Sequence, residues 1–134
     1  MSQCVIVTNN DRVYKKHKDE KEVLFLEDGG YLDVLEKSRD LVHRGAKLLS
    51  HPMAGSMKPN QTPFRSVLLE KDSRNETREK EPASPLDMES LRLIENSIEA
   101  AKKFLSVKKT PQWPLKIRED FKTVDLSIID SAIK

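Results

Sequence analysis

The sequence contains little cysteine, few aromatic residues and little net charge, and each shortage excludes a class of protein. Cys4 is the only cysteine among 134 residues, so neither an internal disulfide nor a four-cysteine zinc site can form. Lysine and arginine number 24 against 22 acidic residues, a balance that does not favour nucleic acid as a partner. Aromatic residues make up 5% of the chain, which leaves few side chains on which bases could stack.

Long apolar runs and glycine-rich phosphate motifs are also missing. No stretch approaches the roughly 20 apolar residues of a membrane-spanning helix, and the first residues do not have the pattern of a signal peptide. We therefore expect a cytoplasmic protein without a membrane partner. The three histidines are not spaced as metal ligands, so we expect no metal and no cofactor.

Short continuous apolar runs predict one α/β domain over residues 1–134. Runs at Cys4–Val7, Val23–Leu26 and Ala46–Leu49 alternate with helical spacing, and unbroken apolar runs are typical of strands buried on both faces of a parallel sheet. A fourth run at Ser66–Glu70 has no helix before it, so its direction is left open. The sequence predicts a short, mainly parallel open sheet of about four strands flanked by helices, a Rossmann-like half.

Helices are predicted between these strands and after them. Asn10 is placed as the N-cap of a short helix, and Tyr31–His43 has one apolar face followed by Gly45 as a C-terminal cap. Residues 71–85 contain almost no apolar side chains, which is typical of a mobile loop.

The C-terminal part predicts three further helices. A long helix covers residues 87–105, a short one covers 114–121, and Asp125 is expected to cap the last. The lysines clustered at 102, 103, 108 and 109 are interpreted as solvated helix ends.

Polar residues follow each of the three predicted parallel strands, and a polar loop leaves the last one. Because the carboxyl ends of parallel strands share one edge, these residues should form a crevice that could bind a carboxylate or a phosphate, helped by a helix N-terminus. The candidate ligand-binding residues are Thr8, Asn9, Asn10, Ser50, His51, Gly55, Ser56 and Lys58.

Each candidate also has a purely structural interpretation. The asparagines are common helix caps, and His51 before a proline could be a turn residue bonded to backbone. Lys58 could be a solvated loop lysine. Ser50 and Ser56 lack the sequence around a catalytic serine, so no catalytic residue is assigned and an enzymatic activity is not favoured.

Nearly the whole chain, apart from residues 72–85, resembles the GrdX family. The resemblance rests on residues 7–10, 30–45 and 47–63, and it continues through 90–105, 109–114 and 125–127. Its most specific part is the pattern His-Pro-x-x-Gly-Ser-x-Lys-Pro-Asn at 51–60. That pattern adds Asn60 to the candidate residues and implies that the Ser50–Asn60 loop is the functional segment.

The resemblance implies a biological context and no defined activity. Proteins of this family are encoded with the glycine, sarcosine and betaine reductase systems of amino-acid-fermenting anaerobes. The reductase components use selenocysteine, reactive thiols or a pyruvoyl group, whereas this chain has only Cys4 in a predicted buried strand. The main hypothesis is an accessory protein with reductase components as partners.

Two other possibilities stay open beside this hypothesis. The alternative function is a protein or enzyme that binds a small anionic metabolite or phosphate through the Ser50–Asn60 loop. A homodimer that uses the long helix is a further possibility, since some apolar residues lie off its core stripe.

Overall fold

The computed structural model describes residues 3–55, 57–71 and 87–133, which form four strands and four helices. The predicted loop at 71–85 begins at the last residue of a strand, and the rest of it lies outside the described residues, as does Ser56. The strands are β1 (Gln3–Thr8), β2 (Glu22–Phe25), β3 (Lys47–Leu48) and β4 (Ser66–Lys71). The helices are α1 (Asp11–His17), α2 (Tyr31–His43), α3 (Met88–Val107) and α4 (Leu115–Ile133).

The sheet is mixed, with strand order β2-β1-β4-β3. β1 and β2 are parallel, whereas β4 is antiparallel to both of its neighbours, β1 and β3. The expected four-stranded α/β sheet is therefore present but mixed and not purely parallel, and it does not confirm a Rossmann-like half. The physical reason is the connection before β4, which contains no crossover helix, so β4 returns against the direction of β3. β1, β2 and β3 nevertheless all point the same way, because β4 lies between β1 and β3.

Helices cover both faces of the sheet, which explains the unbroken apolar runs. Val5 and Val7 of β1 pack with side chains of α2 and α3, whereas Ile6 packs with Val13 of α1 and Ile129 of α4. All five side chains are at most 1% exposed. Alternate residues of one strand thus enter two separate cores, and each position must be apolar.

The predicted helix signals hold for the first three helices. The Asn10 side chain caps α1 by accepting a hydrogen bond from the Arg12 backbone N–H at 3.1 Å. α2 has the predicted bounds, and Gly45 follows it with a φ of 105°, the left-handed conformation expected of a C-terminal cap. No helix within the described residues is long and apolar enough to cross a membrane.

The prediction of two helices at the C-terminal end was wrong. α4 continues without interruption from Leu115 to Ile133, and Asp125 lies in its interior with 2% of its surface exposed. This stretch contains neither proline nor glycine, so nothing in the sequence ends the helix at residue 121. The Asp125 carboxylate has partners in the sheet and does not cap a helix.

Candidate functional site

A directed chain of hydrogen bonds lies where β1 ends. The Asn10 backbone N–H donates to Thr8 Oγ1 at 3.0 Å, Thr8 Oγ1 and Ser66 Oγ are 2.6 Å apart, and Ser66 Oγ donates to Asp125 Oδ2 at 2.7 Å. Because Ser66 spends its only proton on the carboxylate, the Thr8 hydroxyl must donate to Ser66. The chain therefore points from the start of α1 to a buried carboxylate on α4.

A buried arginine completes this cluster. Arg65 Nη2 lies 3.4 Å from Asp125 Oδ1, and both side chains are 3% exposed. Arg65 Nη1 donates to the Ala54 carbonyl at 2.6 Å and approaches the Tyr31 hydroxyl at 3.4 Å. Arg65 thus connects β4 with α4, with α2 and with the loop that precedes it. Among the described residues, its Nε is buried and has no hydrogen-bond partner.

Tyr31 lies beside this arginine at the start of α2. Burial raises the pKa of the Tyr31 hydroxyl above its ordinary value, and the Arg65 cation opposes that change only in part. The Arg65 guanidinium carbon lies 5.5 Å from the centre of the Tyr31 ring, within the range of a cation–π contact. The hydroxyl therefore stays protonated at neutral pH and accepts from Arg65 while keeping its own proton to donate.

Asn9 ties three loops together at the same edge. Its Oδ1 accepts from the Arg65 backbone N–H at 2.9 Å, and its Nδ2 donates to the Gly29 carbonyl at 3.0 Å and the Pro63 carbonyl at 2.7 Å. Asn10 is used in the same manner, since its Nδ2 donates to the Lys122 carbonyl at 2.9 Å and to Asp125 Oδ2 at 3.1 Å. The turns after β1 and β2 do meet, but their asparagines are bonded to the protein itself.

The other candidates make contacts away from this cluster. Ser50 Oγ accepts from the Leu68 backbone N–H at 2.9 Å, and the exposed His51 accepts at Nδ1 from the Met53 N–H at 2.9 Å. Lys58 Nζ lies 5.1 Å from the centre of the Phe104 ring at the end of α3. Asn60 Nδ2 donates to the Phe104 carbonyl at 3.3 Å.

Among the candidates that the structure describes, Gly55 is the one whose backbone conformation favours glycine. Its φ is 88°, and a Cβ placed there would lie 2.6 Å from Cδ1 of Ile128 on α4. The loop therefore approaches α4 so closely that a side chain at 55 would collide with it. Ser56, which follows, lies outside the described residues.

The structure thus gathers three of the predicted site residues, Thr8, Asn9 and Asn10, around Arg65 and Asp125. Neither Arg65 nor Asp125 was among the predicted site residues. Both had a visible signal. Arg65 directly precedes a continuous buried strand, and Asp125 lies between apolar residues in a helical segment. Ligand binding by the candidate residues stays a prediction.

A second polar cluster joins α1 to α4 on the outer side. Arg12 binds Glu119, Lys122 lies 2.9 Å from Asp11 Oδ1, and Asp130 accepts from Lys16 Nζ at 2.6 Å and pairs with His17 Nε2 at 2.7 Å. Beside it lies an open groove of about 320 Å³, lined by Thr123, Leu126, Ser127, Asp130 and Ser131.

These contacts lower the pKa of three carboxyl groups. Hydrogen bonds from Lys122 lower the pKa of Asp11 and, together with Arg12, that of Glu119. Burial by itself would raise the pKa of Asp130, but the hydrogen bonds and charges of Lys16 and His17 outweigh it, and the pKa lies below its ordinary value. The three carboxyl groups are therefore ionised at neutral pH, and their contacts hold the two helices together.

Comparisons with known proteins identify a family and no individual relative. The family described as GrdX-like protein matches residues 5–134, nearly the whole chain. No curated protein and no solved structure matches. In the described part of the chain, no group of three or more histidine, cysteine, aspartate or glutamate residues is placed to hold a metal ion.

Proposed function

The chain belongs to the GrdX-like protein family, and we propose that it is a cytoplasmic accessory protein that acts by binding components of the glycine, betaine or sarcosine reductase system. The reductase context comes from the family resemblance described above. The half-buried thiol of Cys4 packs on the α1/α4 side of the sheet, a position that suits a small apolar residue better than a reactive one.

One observation supports binding of a partner over chemistry at the sheet edge. The side chains that meet there are bonded to one another and to backbone: Thr8 to Ser66, Asn9 to the Gly29 and Pro63 carbonyls, and Arg65 to Asp125. A catalytic group must face a substrate with free hydrogen-bonding capacity. These polar side chains already have hydrogen-bond partners within the protein, and their role is to hold the loops in place. We therefore expect a partner to bind the outer surface of the protein.

Direct binding to purified reductase components tests this proposal. The full chain is immobilised, each component is passed over it separately, and binding is followed by biolayer interferometry. We expect one component to bind with micromolar or better affinity while the others do not, and an unrelated acidic protein serves as the control. If no component binds at concentrations well above this range, the accessory role is refuted.

A small-anion binding protein is the second candidate, and it is favoured by one specific observation. Within the described residues Arg65 has a buried Nε without a partner, and Arg65 bonds to Ala54 in the predicted functional loop. Guanidinium N–H groups are strong donors to carboxylates and phosphates, and the Nε–H of Arg65 is one such donor without a partner in the described structure.

A thermal-shift screen tests the second candidate. Phosphate, acetate, acetyl phosphate and glycine are added to the full chain and to its Arg65→Lys variant, which keeps the positive charge but lacks the Nε–H group. A compound present at about 100 times its dissociation constant adds about 2.7 kcal/mol to the free energy of unfolding. We expect this increase to shrink in the variant. Unchanged melting of the full chain with all four compounds removes this candidate.

A further inference from the structure

The end of α3, the linker between α3 and α4, and the loop before β4 contact one another, and Arg118 in the first turn of α4 lies over the ring of Phe64 of that loop, 5.1 Å from its centre. Thr110 Oγ1 donates to the Pro59 carbonyl at 2.5 Å, and Trp113 Nε1 donates to the Gln61 carbonyl at 2.7 Å. Lys58 lies over the ring of Phe104, 5.1 Å from its centre. We call residues 58–64 and 102–118 together the basic clasp.

The basic clasp carries an unusual concentration of positive charge. From residue 100 to residue 118 there is no acidic residue, and the six basic ones are Lys102, Lys103, Lys108, Lys109, Lys116 and Arg118. Without these six, the chain has 18 basic residues against 22 acidic ones. The net charge of +2 is therefore the sum of a positively charged clasp and a negatively charged rest of the chain. Segment 58–64 adds Lys58 and no acid.

Helix capping does not explain this charge. Lys108 is the C-cap residue of α3 and can complement the helix dipole, but the last turn itself contains no basic residue, so the helix end does not account for the other five. Within the described residues, none of the six basic side chains forms a salt bridge. The five lysines among them are exposed. The clasp therefore contains like charges that no carboxylate of the described chain neutralises, which favours an outside source of negative charge.

Exposed aliphatic side chains lie among these lysines. Val107 is 85% exposed, Leu115 is 73% exposed and Ile117 is 36% exposed, and they are three of the six large apolar residues that the described structure leaves exposed. Lys108 follows Val107, and Lys116 lies between Leu115 and Ile117 in the chain. Exposed apolar side chains next to charged ones are typical of a surface that binds another molecule.

We propose that the basic clasp docks an acidic segment of a partner protein, one that carries aliphatic side chains beside its carboxylates. This proposal rests on the proposed accessory function and specifies the chemistry of the partner. Carboxylates of the partner would neutralise the lysines, and its aliphatic groups would cover Val107 and Leu115. Opposite charges on two surfaces also speed the encounter and select the partner.

The shape and chemistry of the clasp favour a protein over a nucleic acid or a membrane. Single-stranded nucleic acids stack on exposed aromatic rings, whereas the exposed apolar groups of the clasp are aliphatic and Trp113 is half-buried. Membrane-surface helices present one continuous apolar face, whereas Val107 and Leu115 lie on different helices separated by Pro111 and Pro114.

Fluorescence anisotropy with defined probes tests the docking surface. The probes are a short labelled peptide with equal numbers of glutamate and leucine, polyglutamate of the same length, phosphatidylserine vesicles and a single-stranded DNA. We expect the glutamate–leucine peptide to bind most tightly, with an affinity that falls as salt rises. Tighter binding of vesicles or DNA overturns the choice of partner, and equal binding of polyglutamate overturns the role of the aliphatic groups.

Two matched variants locate the binding. In K102Q/K103Q/K108Q/K109Q, four charges are removed from exposed positions of the clasp, and we expect the peptide to bind at least about tenfold more weakly. In the control, K15Q/K18Q/K37Q/K47Q, the same charge is removed from other surfaces and the affinity should stay within about twofold. Circular dichroism checks that both variants fold. Equal affinity of the two variants for the peptide refutes the clasp as the docking site.

The same variants separate this inference from the proposed function. If a reductase component binds the full chain and the clasp variant equally well, the accessory role stands and the docking site is wrong. If the peptide binds at the clasp but no reductase component binds the chain, the docking site stands and the accessory role is wrong.

Discussion

Replacement of Asp125 by alanine is the sharpest test of the buried polar cluster. Its carboxylate accepts hydrogen bonds from Ser66 at 2.7 Å and from Asn10 at 3.1 Å, and it is the charge partner of Arg65. In the variant these donors lose their acceptor while the guanidinium stays buried. The effect should therefore exceed that of removing a surface carboxylate by a wide margin.

The expected magnitude follows from the burial of both charges. Breaking a buried ion pair by removing one partner costs about 3–5 kcal/mol, because the other charge stays buried without compensation. Domains of this size unfold with about 5–15 kcal/mol, so Asp125→Ala removes a large fraction of the stability. For a chain of 134 residues, this loss lowers Tm by about 10–20 °C.

Urea unfolding followed by circular dichroism measures the change, with Asp120→Ala as the matched control. Asp120 is exposed on the same helix, so its removal should change the free energy of unfolding by at most about 0.5 kcal/mol. A double variant, Arg65→Met with Asp125→Ala, also removes the buried cation. It should be less destabilised than the sum of the two single variants, by about 1–3 kcal/mol.

Two results would refute this reasoning. The first is a loss for Asp125→Ala within about 1 kcal/mol of the loss for Asp120→Ala, which would mean that the carboxylate is not the buried partner of a charge. The second is strict additivity in the double variant, which would mean that Arg65 and Asp125 do not interact.

Three further predictions follow from the same structure. The folded state lowers the pKa of Asp11, Glu119 and Asp130, so the stability that they contribute is fully present above the ordinary carboxyl pKa values and is lost as the pH falls below about 4. The urea concentration at the midpoint of unfolding should therefore fall as the pH is lowered through this range, and it should fall less steeply in the Asp130→Asn variant. Gly55→Ala should lower the free energy of unfolding by about 1–3 kcal/mol, because φ is positive at this residue and the new Cβ would contact Ile128. Gly30→Ala is the control in the same urea assay and should change the free energy of unfolding little, because φ is −98° there and the new Cβ would lie 3.7 Å from Asp33 Oδ2. Of the two tyrosines, Tyr31 should ionise above the ordinary range in an ultraviolet titration, because burial raises its pKa; two tyrosines that titrate together in the ordinary range would contradict its burial.

Local signals predicted most of the helices and strands. The bounds of α2 were predicted at both ends, because its apolar spacing is regular and Gly45 ends it. The apolar runs marked all four strands, and in β1 and β4 the reason is that a strand buried on both faces leaves no polar position. The helix predicted at 114–121 does not end there, because α4 continues to Ile133. Asp125 resembles a cap in sequence, but its partners are Ser66 on β4 and Asn10 just before α1.

The candidate site was predictable only in part. The polar turns after β1 and β2 do meet, as Asn9 shows by its bond to the Gly29 carbonyl at 3.0 Å. The sequence contained no information on how much of their hydrogen-bonding capacity the protein itself would use. Arg65 and Asp125 are 60 residues apart in the chain, and only packing brings them within 3.4 Å.

By itself, the sequence determined the family, the α/β class and the positions of the strands and of the first three helices, because these depend on apolar spacing, caps and motifs within a few neighbouring residues. The tertiary structure decided the direction and place of β4, the pairing of Arg65 with Asp125 and the contact of Lys58 with Phe104 at the end of α3. Each of these depends on contacts between segments far apart in the chain. A carboxylate or a lysine looks the same in sequence whether packing buries it against a partner or leaves it exposed.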